Sequence, residues 1–136
     1  MKRQAEALIK VPFHDLDPVG IVWHGNYAKY LEIARCNLLD QFDYGYTRMA
    51  ESGYAWPVID LHLRYVRPAR FDQEIRVQAT LEEWEYRLKI AYLIRDAASG
   101  ERIAKAHTIQ VAVEISSREM CLMSPPVLFE RLGIAR

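Results

Sequence analysis

The sequence predicts an α+β fold in which a curved antiparallel sheet of about five strands wraps around a long central helix. Three observations carry that expectation. Apolar residues recur at helical spacing through Tyr27, Tyr30, Leu31, Ala34, Leu38 and Phe42. Beyond Gly53 the period falls to two, and the alternating segments that follow are joined by short connections. A chain of 136 residues is sized for one hydrophobic core, so residues 1–136 are expected to form a single domain.

The first strand is placed in the short apolar segment Ala7 to Phe13. In the helix that begins near Tyr27, Ile33 and Leu39 widen the apolar face, as a helix enclosed by sheet requires. Asp43 and Gly45 end it, and Thr47 to Glu51 adds one short turn. Ile59, Leu61, Leu63 and Tyr65 then alternate with Asp60, His62 and Arg64, and Ile75, Val77, Ala79 and Leu81 with Glu74, Arg76, Gln78, Thr80 and Glu82. Tyr86 to Ile94 continues the alternation, and Asp96-Ala97-Ala98-Ser99-Gly100 reads as a hairpin turn. Arg102 to Ile115 reads as one long strand, with Ile103, Ile109, Val111, Val113 and Ile115 on one face and Ala104, Ala106, Thr108 and Ala112 on the other.

Composition narrows the function classes. Apolar residues make up 51% and charged residues 26%, with Lys plus Arg balancing Asp plus Glu at 18 each, so nucleic acid and anionic membrane surfaces are not expected partners. Cys36 and Cys121 have neither metal-ligand spacing nor a disulfide pattern, which points to a reducing cytoplasm. Lys2 and Arg3 are not followed by an apolar stretch long enough for a signal peptide. No window approaches the roughly 18 apolar residues of a transmembrane helix, so no membrane insertion is expected.

The chemistry concentrates in His14-Asp15-Leu16-Asp17-Pro18-Val19-Gly20-Ile21-Val22-Trp23-His24-Gly25-Asn26-Tyr27, which sets carboxylates in a loop just ahead of the long helix. A carboxylate can act as base or nucleophile, and the free N–H groups of a helix N-terminus favour a developing anion. Asp-Pro followed by Gly is also ordinary turn chemistry, so a turn-forming role stands beside the catalytic one. His14, Asp15, Asp17 and His24 are ligand-type residues, but their spacing matches no two-histidine helical motif and no metal is expected.

The run Asp17 to Tyr27 resembles the Asp-x₃-[Val/Ile]-x₄-Asn-Tyr pattern that opens the 4-hydroxybenzoyl-CoA thioesterase family of hotdog-fold enzymes, which includes bacterial acyl-CoA thioesterases associated with the Tol-Pal cell-envelope system. Arg64 to Asp72 is similar to that family's Tyr-x₂-Pro-Ala-x₂-Asp turn, and Pro125 to Leu132 to its short terminal helix. The resemblance implies hydrolysis of acyl-CoA or acyl-carrier-protein thioesters without a cofactor. It selects Asp17 over Asp15 as the catalytic carboxylate, leaving Asp15 to order the loop, and implies the backbone N–H of His24 as oxyanion donor. Gly25, Asn26 and Tyr27 would line the substrate site, with Asn26 also a good helix-capping type. It also implies a homodimer or homotetramer in which the strand Val58 to His62 of a neighbouring copy reaches the site. CoA phosphates need basic residues at the pocket mouth, for which Arg67, Arg70 and Arg87 are the candidates.

Two departures bear on mechanism and carrier. Phe13 stands where some members with His at the His24 position have Tyr, and Trp84 is followed by Glu85-Tyr86-Arg87 where some CoA-using members have a basic run. The competing readings are a non-catalytic acyl-thioester-binding protein and a hotdog dehydratase or hydratase, for which Glu32 on the helix is the opening.

Overall fold

The computed structural model describes residues 3–136; Met1 and Lys2, which begin the segment weighed as a leader, lie outside them. The strands are β1 (Gln4–Lys10), β2 (Tyr54–Ala55), β3 (Val58–Tyr65), β4 (Glu74–Glu83), β5 (Leu88–Asp96), β6 (Arg102–Gln110) and β7 (Val113–Glu114). The helices are α1 (Tyr27–Gln41), α2 (Tyr46–Glu51) and α3 (Pro126–Leu132). Five strands form one antiparallel sheet in the order β1-β4-β5-β6-β3, with β2 and β7 paired separately.

Three boundaries differ from the sequence expectation, each for a local reason. β1 lies earlier than Ala7 to Phe13, running in register from Gln4 opposite Thr80 to Lys10 opposite Glu74. Pro12, which has no N–H for a ladder, ends it and leads into a 3₁₀ turn at Phe13–Asp15. β5 begins at Leu88 rather than Tyr86, because the register shifts between Leu81 and Glu83 and the connection takes up Trp84 to Arg87. The last run is two strands, since β6 leaves the sheet at Gln110 and Val113–Glu114 pairs instead with Tyr54–Ala55.

The inner face of the sheet is set by the pleat: Ala5 and Ala7 on β1, Ile75, Val77, Ala79 and Leu81 on β4, Leu88, Ile90, Tyr92 and Ile94 on β5, and Ala104, Ala106, Thr108 and Gln110 on β6. Against it α1 buries Tyr27, Tyr30, Leu31, Ala34, Leu38 and Leu39, the stripe its periodicity predicts, while Ile33, expected to widen that face, lies off it and is exposed. The helix packs on the β1 and β4 half, where Ala5, Ala7 and Ala79 present only methyl groups and let its backbone approach. α3 ends at Gly133, whose φ of 72° lets its own N–H and that of Ile134 bond back to Glu130 and Phe129.

β3 has no such cover. Every one of its residues except Leu63 is exposed, including Leu61 at 45% and Ile59 at 59%. Its other edge carries no partner among the described residues, so the sheet ends in an unpaired strand with apolar side chains.

The close approach of α1 to β4 is testable. Ala79→Leu adds volume where helix and sheet already touch, and should lower stability by about 1–3 kcal/mol. Urea unfolding should show a lower midpoint at unchanged slope; an unaltered midpoint would mean that the space between helix and sheet is slack.

Candidate active site

The Asp17 segment folds as a miniature hairpin. Leu16 bridges Val22, Asp17 N–H donates to the Ile21 carbonyl at 2.8 Å, and Gly20 N–H donates to the Asp17 carbonyl at 3.0 Å. Pro18 presets its own φ, and Gly20 takes a φ of 90° that side chains disfavour. The Asp17 carboxylate accepts from Val19 N–H at 2.9 Å and Ile21 N–H at 3.4 Å, both through Oδ1. Among the described residues neither bond uses Oδ2, which leaves that oxygen for a reactant or a water. A turn role at one oxygen is therefore compatible with a catalytic role at the other.

Asp15 has a different environment. The residue is 2% exposed, and its two carboxylate oxygens accept from Lys29 Nζ and the Tyr30 hydroxyl, each at 2.6 Å. Burial alone would raise the carboxyl pKa; the bonds from Lys29 and Tyr30, with the nearby Lys29 and His14 charges, outweigh it and hold the group below its ordinary value. Burial and the same carboxylate push the Tyr30 hydroxyl the other way. The Asp15 carbonyl also accepts from Trp23 N–H at 2.9 Å and Asn26 Nδ2 at 2.8 Å. Asp15 thus ties the loop, the helix entry and the first turn of α1 together, the ordering role expected of it.

A 3₁₀ turn at His24–Asn26 runs directly into α1, so the first N–H groups of the combined helix begin at His24. Asn26 makes no side-chain cap; its amide is committed to Asp15 instead. The ring of Trp23 lies against Gly25, where any Cβ would collide with it. The His24 imidazole is exposed and packs beside Trp23 at 5.1 Å between ring centroids.

The turn after β3 braces this arrangement. Val22 N–H donates to the Ala69 carbonyl, Ile21 bridges Arg70, and Ala69 N–H donates to the Tyr27 hydroxyl at 3.0 Å. In return the Tyr65 hydroxyl donates to the His24 carbonyl at 2.6 Å, its ring standing edge-on to Tyr27. Between them lies a cleft of about 290 Å³ lined by Ile21, Val22, His24, Tyr27, Tyr65 and Pro68, among others. Asp17 does not line this cleft, but it lies directly across the small hairpin from Ile21, which does.

Of the other sequence candidates, Arg67 and Arg70 border the cleft region, and Val58, His62, Arg87 and Glu32 lie away from it. Val58 sits opposite Gln110 at the far end of β3, and His62 points away from α1, stacked on His107 with 5.3 Å between ring centroids. Arg67 lines the His24 cleft as well; it pairs with Glu101, and with Arg70 it borders an adjoining recess of about 310 Å³ that also contains the carboxylates of Asp96 and Glu101. The two charges of each sign balance there. Arg87 is held by both oxygens of Glu83, at 3.0 and 3.1 Å, in a hairpin that also carries Glu82 and Glu85. Glu32 is engaged with the buried Arg35. Among the described residues no group of three or more His, Cys, Asp or Glu side chains is placed to hold a metal ion.

Comparison with known proteins bears on this architecture. Residues 11–131, from the loop to the terminal helix, match the thioesterase-like superfamily. The chain belongs to that superfamily. Among curated relatives, the putative esterase sll0410 of Synechocystis is 30% identical over 93% of this chain and 77% of its own length. The putative acyl-CoA thioesterase YneP of Bacillus subtilis is 28% identical over 80% of this chain and 79% of its own length. A DHNA-CoA thioesterase from Staphylococcus aureus superposes with a TM-score of 0.85 at 22% identity, over 96% of this chain and 89% of that one. The wrapped-helix sheet is the hotdog fold of such thioesterases.

The Tyr65 and Tyr30 contacts were not evident from the sequence; the available signal was a tyrosine on the predicted inner helix face, whose hydroxyl needs a partner when buried. Asp15→Asn should cost about 1–3 kcal/mol at neutral pH, since it removes the charge that Lys29 and Tyr30 satisfy. Because the folded pKa is lowered, this stabilisation is present in full above the ordinary carboxylate value of 3.8 and fades as pH falls through the folded value. Urea unfolding of both proteins from neutral to acid pH should show the gap closing; a gap independent of pH would refute the assignment.

Proposed function

We propose that the protein hydrolyses acyl-CoA thioesters, with Asp17 as the reacting carboxylate and the N–H groups at the start of the His24 turn as oxyanion donors. The observation that carries this reading is the bracing of the Asp17 hairpin and the helix entry around one cleft, in a member of the thioesterase-like superfamily. The names of relatives such as the putative acyl-CoA thioesterase YneP support CoA as the carrier.

Two routes fit the geometry. In one, Oδ2 of Asp17 attacks the carbonyl carbon, the C–S bond breaks, the thiolate takes a proton and water then cleaves the mixed anhydride. In the other, Asp17 takes a proton from a water that attacks the carbonyl carbon directly, the C–S bond then breaks, and the thiolate leaves with that proton. Both pass through a tetrahedral oxyanion, and N–H groups fixed before the reaction stabilise it without reorganisation. Neither route needs a cofactor.

The bare β3 edge supports assembly. Antiparallel pairing with β3 of a second copy would continue the sheet and cover Leu61 and Ile59, giving a homodimer or, by pairing of dimers, a homotetramer. Such pairing brings the Val58 end of one strand toward the Tyr65 end of the other, and so toward the His24 cleft. Of the three arginines, Arg67 lines the His24 cleft and Arg70, with no side-chain ion pair among the described residues, stands beside it, so these two are the better phosphate ligands and Arg87, held by Glu83, the poorer one. An acyl-carrier-protein substrate remains the alternative carrier. Two free thiols accord with a reducing, cytoplasmic location, and among the described residues no helix is long and apolar enough to cross a membrane.

Thiol release from a panel of acyl-CoA thioesters tests the reaction. Asp17→Asn should remove most of kcat with little change in stability, and full activity in that variant would sink the assignment. His24→Ala keeps the backbone donor and should retain substantial activity; a loss as large as that of Asp17→Asn would give the imidazole a direct part. Sedimentation should show at least a dimer, and a fully active monomer would contradict the β3 pairing.

A further inference from the structure

We infer that Tyr65 is a positioning residue for the oxyanion site, fixing the His24–Gly25 peptide so that the Gly25 N–H stands beside the His24 N–H as a second donor. The inference rests on the thioesterase reading above and extends it to a residue on a different element.

The argument begins with the peptide plane. The carbonyl that Tyr65 binds belongs to His24, and in a trans peptide the N–H on its other side is that of Gly25, pointing the opposite way. Holding the oxygen therefore aims the N–H. At 2.6 Å the bond is at the short end for O–H···O, and withdrawing electron density through the carbonyl makes the attached N–H a better donor. His24 and Gly25 are the first two residues of their turn, so neither N–H has an acceptor one turn earlier.

The support of Tyr65 is rigid where it matters. Its backbone is paired with Ala104 at the end of β3, and its ring is set against Tyr27, whose own hydroxyl is held by Ala69 N–H. The hydroxyl consequently reaches His24 from a strand rather than from a free loop. Gly25 adds a second constraint: the Trp23 ring occupies the space of a side chain, covering that side of the residue. His24 and Tyr65 line the same cleft, so the bond that joins them lies within the site.

The test is Tyr65→Phe, which keeps the ring and removes only the hydroxyl. On an acyl-CoA that the wild type hydrolyses, kcat should fall about tenfold with KM within twofold, a fraction of the 10²–10³ typical of losing a donor outright. A trifluoromethyl ketone analogue of acyl-CoA, which forms a tetrahedral oxyanion, should bind about tenfold more weakly to the variant, while free CoA binds both proteins equally. Unchanged kcat and unchanged analogue binding would overturn the inference, as would a loss confined to KM or one accompanied by a matching fall in thermal midpoint. A wild type inactive on every thioester would instead remove the functional reading on which the inference rests.

Discussion

The Asp15 carboxylate is the interaction on which the rest of the site depends. A carboxylate buried to 2% exposure is costly unless its oxygens are satisfied, and here one takes the Lys29 ammonium and the other the Tyr30 hydroxyl. Both partners come from the first turn of α1, while the Asp15 carbonyl holds Trp23 and Asn26. One residue therefore fixes the distance from the loop to the helix and the path of the chain between them. Asp17 and His24 inherit their places from it: the Asp17 carboxylate sits two residues beyond a buried anchor, on a hairpin too short to wander.

The sheet contributes by being incompletely covered. Small residues on β1 and β4 draw α1 to one half of the inner face, and β3 is left to carry apolar side chains into solvent. The same strand delivers Tyr65 to the helix entry. An element poor in internal burial is thus rich in contacts that matter at the cleft, a frequent division of labour between core and site.

Much of this was legible in the sequence. The stripe Tyr27 to Leu38 required a helix of period 3.6, and strict alternation through Ile75 to Leu81 required a strand with one face in the core; both stand as read. The misread boundaries were decided by pairing rather than by pattern. Nothing local distinguishes Val113 from the preceding strand; its partner at Ala55 does. Nor could periodicity reveal that Asn26 would spend its amide on Asp15, since a cap and a cross-loop bond ask for the same residue type. Arg87 is the opposite case: the sequence offers it as a phosphate ligand, although Glu83 four residues earlier, which engages it, is a complementary charge the sequence already displays.

The order of strands has a consequence for how the chain comes together. β1, made first, pairs with β4, so Gln4 must wait for Thr80 and the helix between them is complete long before its sheet exists. Contacts so distant in sequence demand loop closure before they give any return, which slows folding. Until β4 arrives, α1 carries Leu31, Leu38 and Leu39 with only β1 to shield them, and the buried Asp15 network is the local structure that can already hold the helix entry in shape. During synthesis, the interval between the end of α1 and the arrival of β4 is when a chaperone has most to offer this protein.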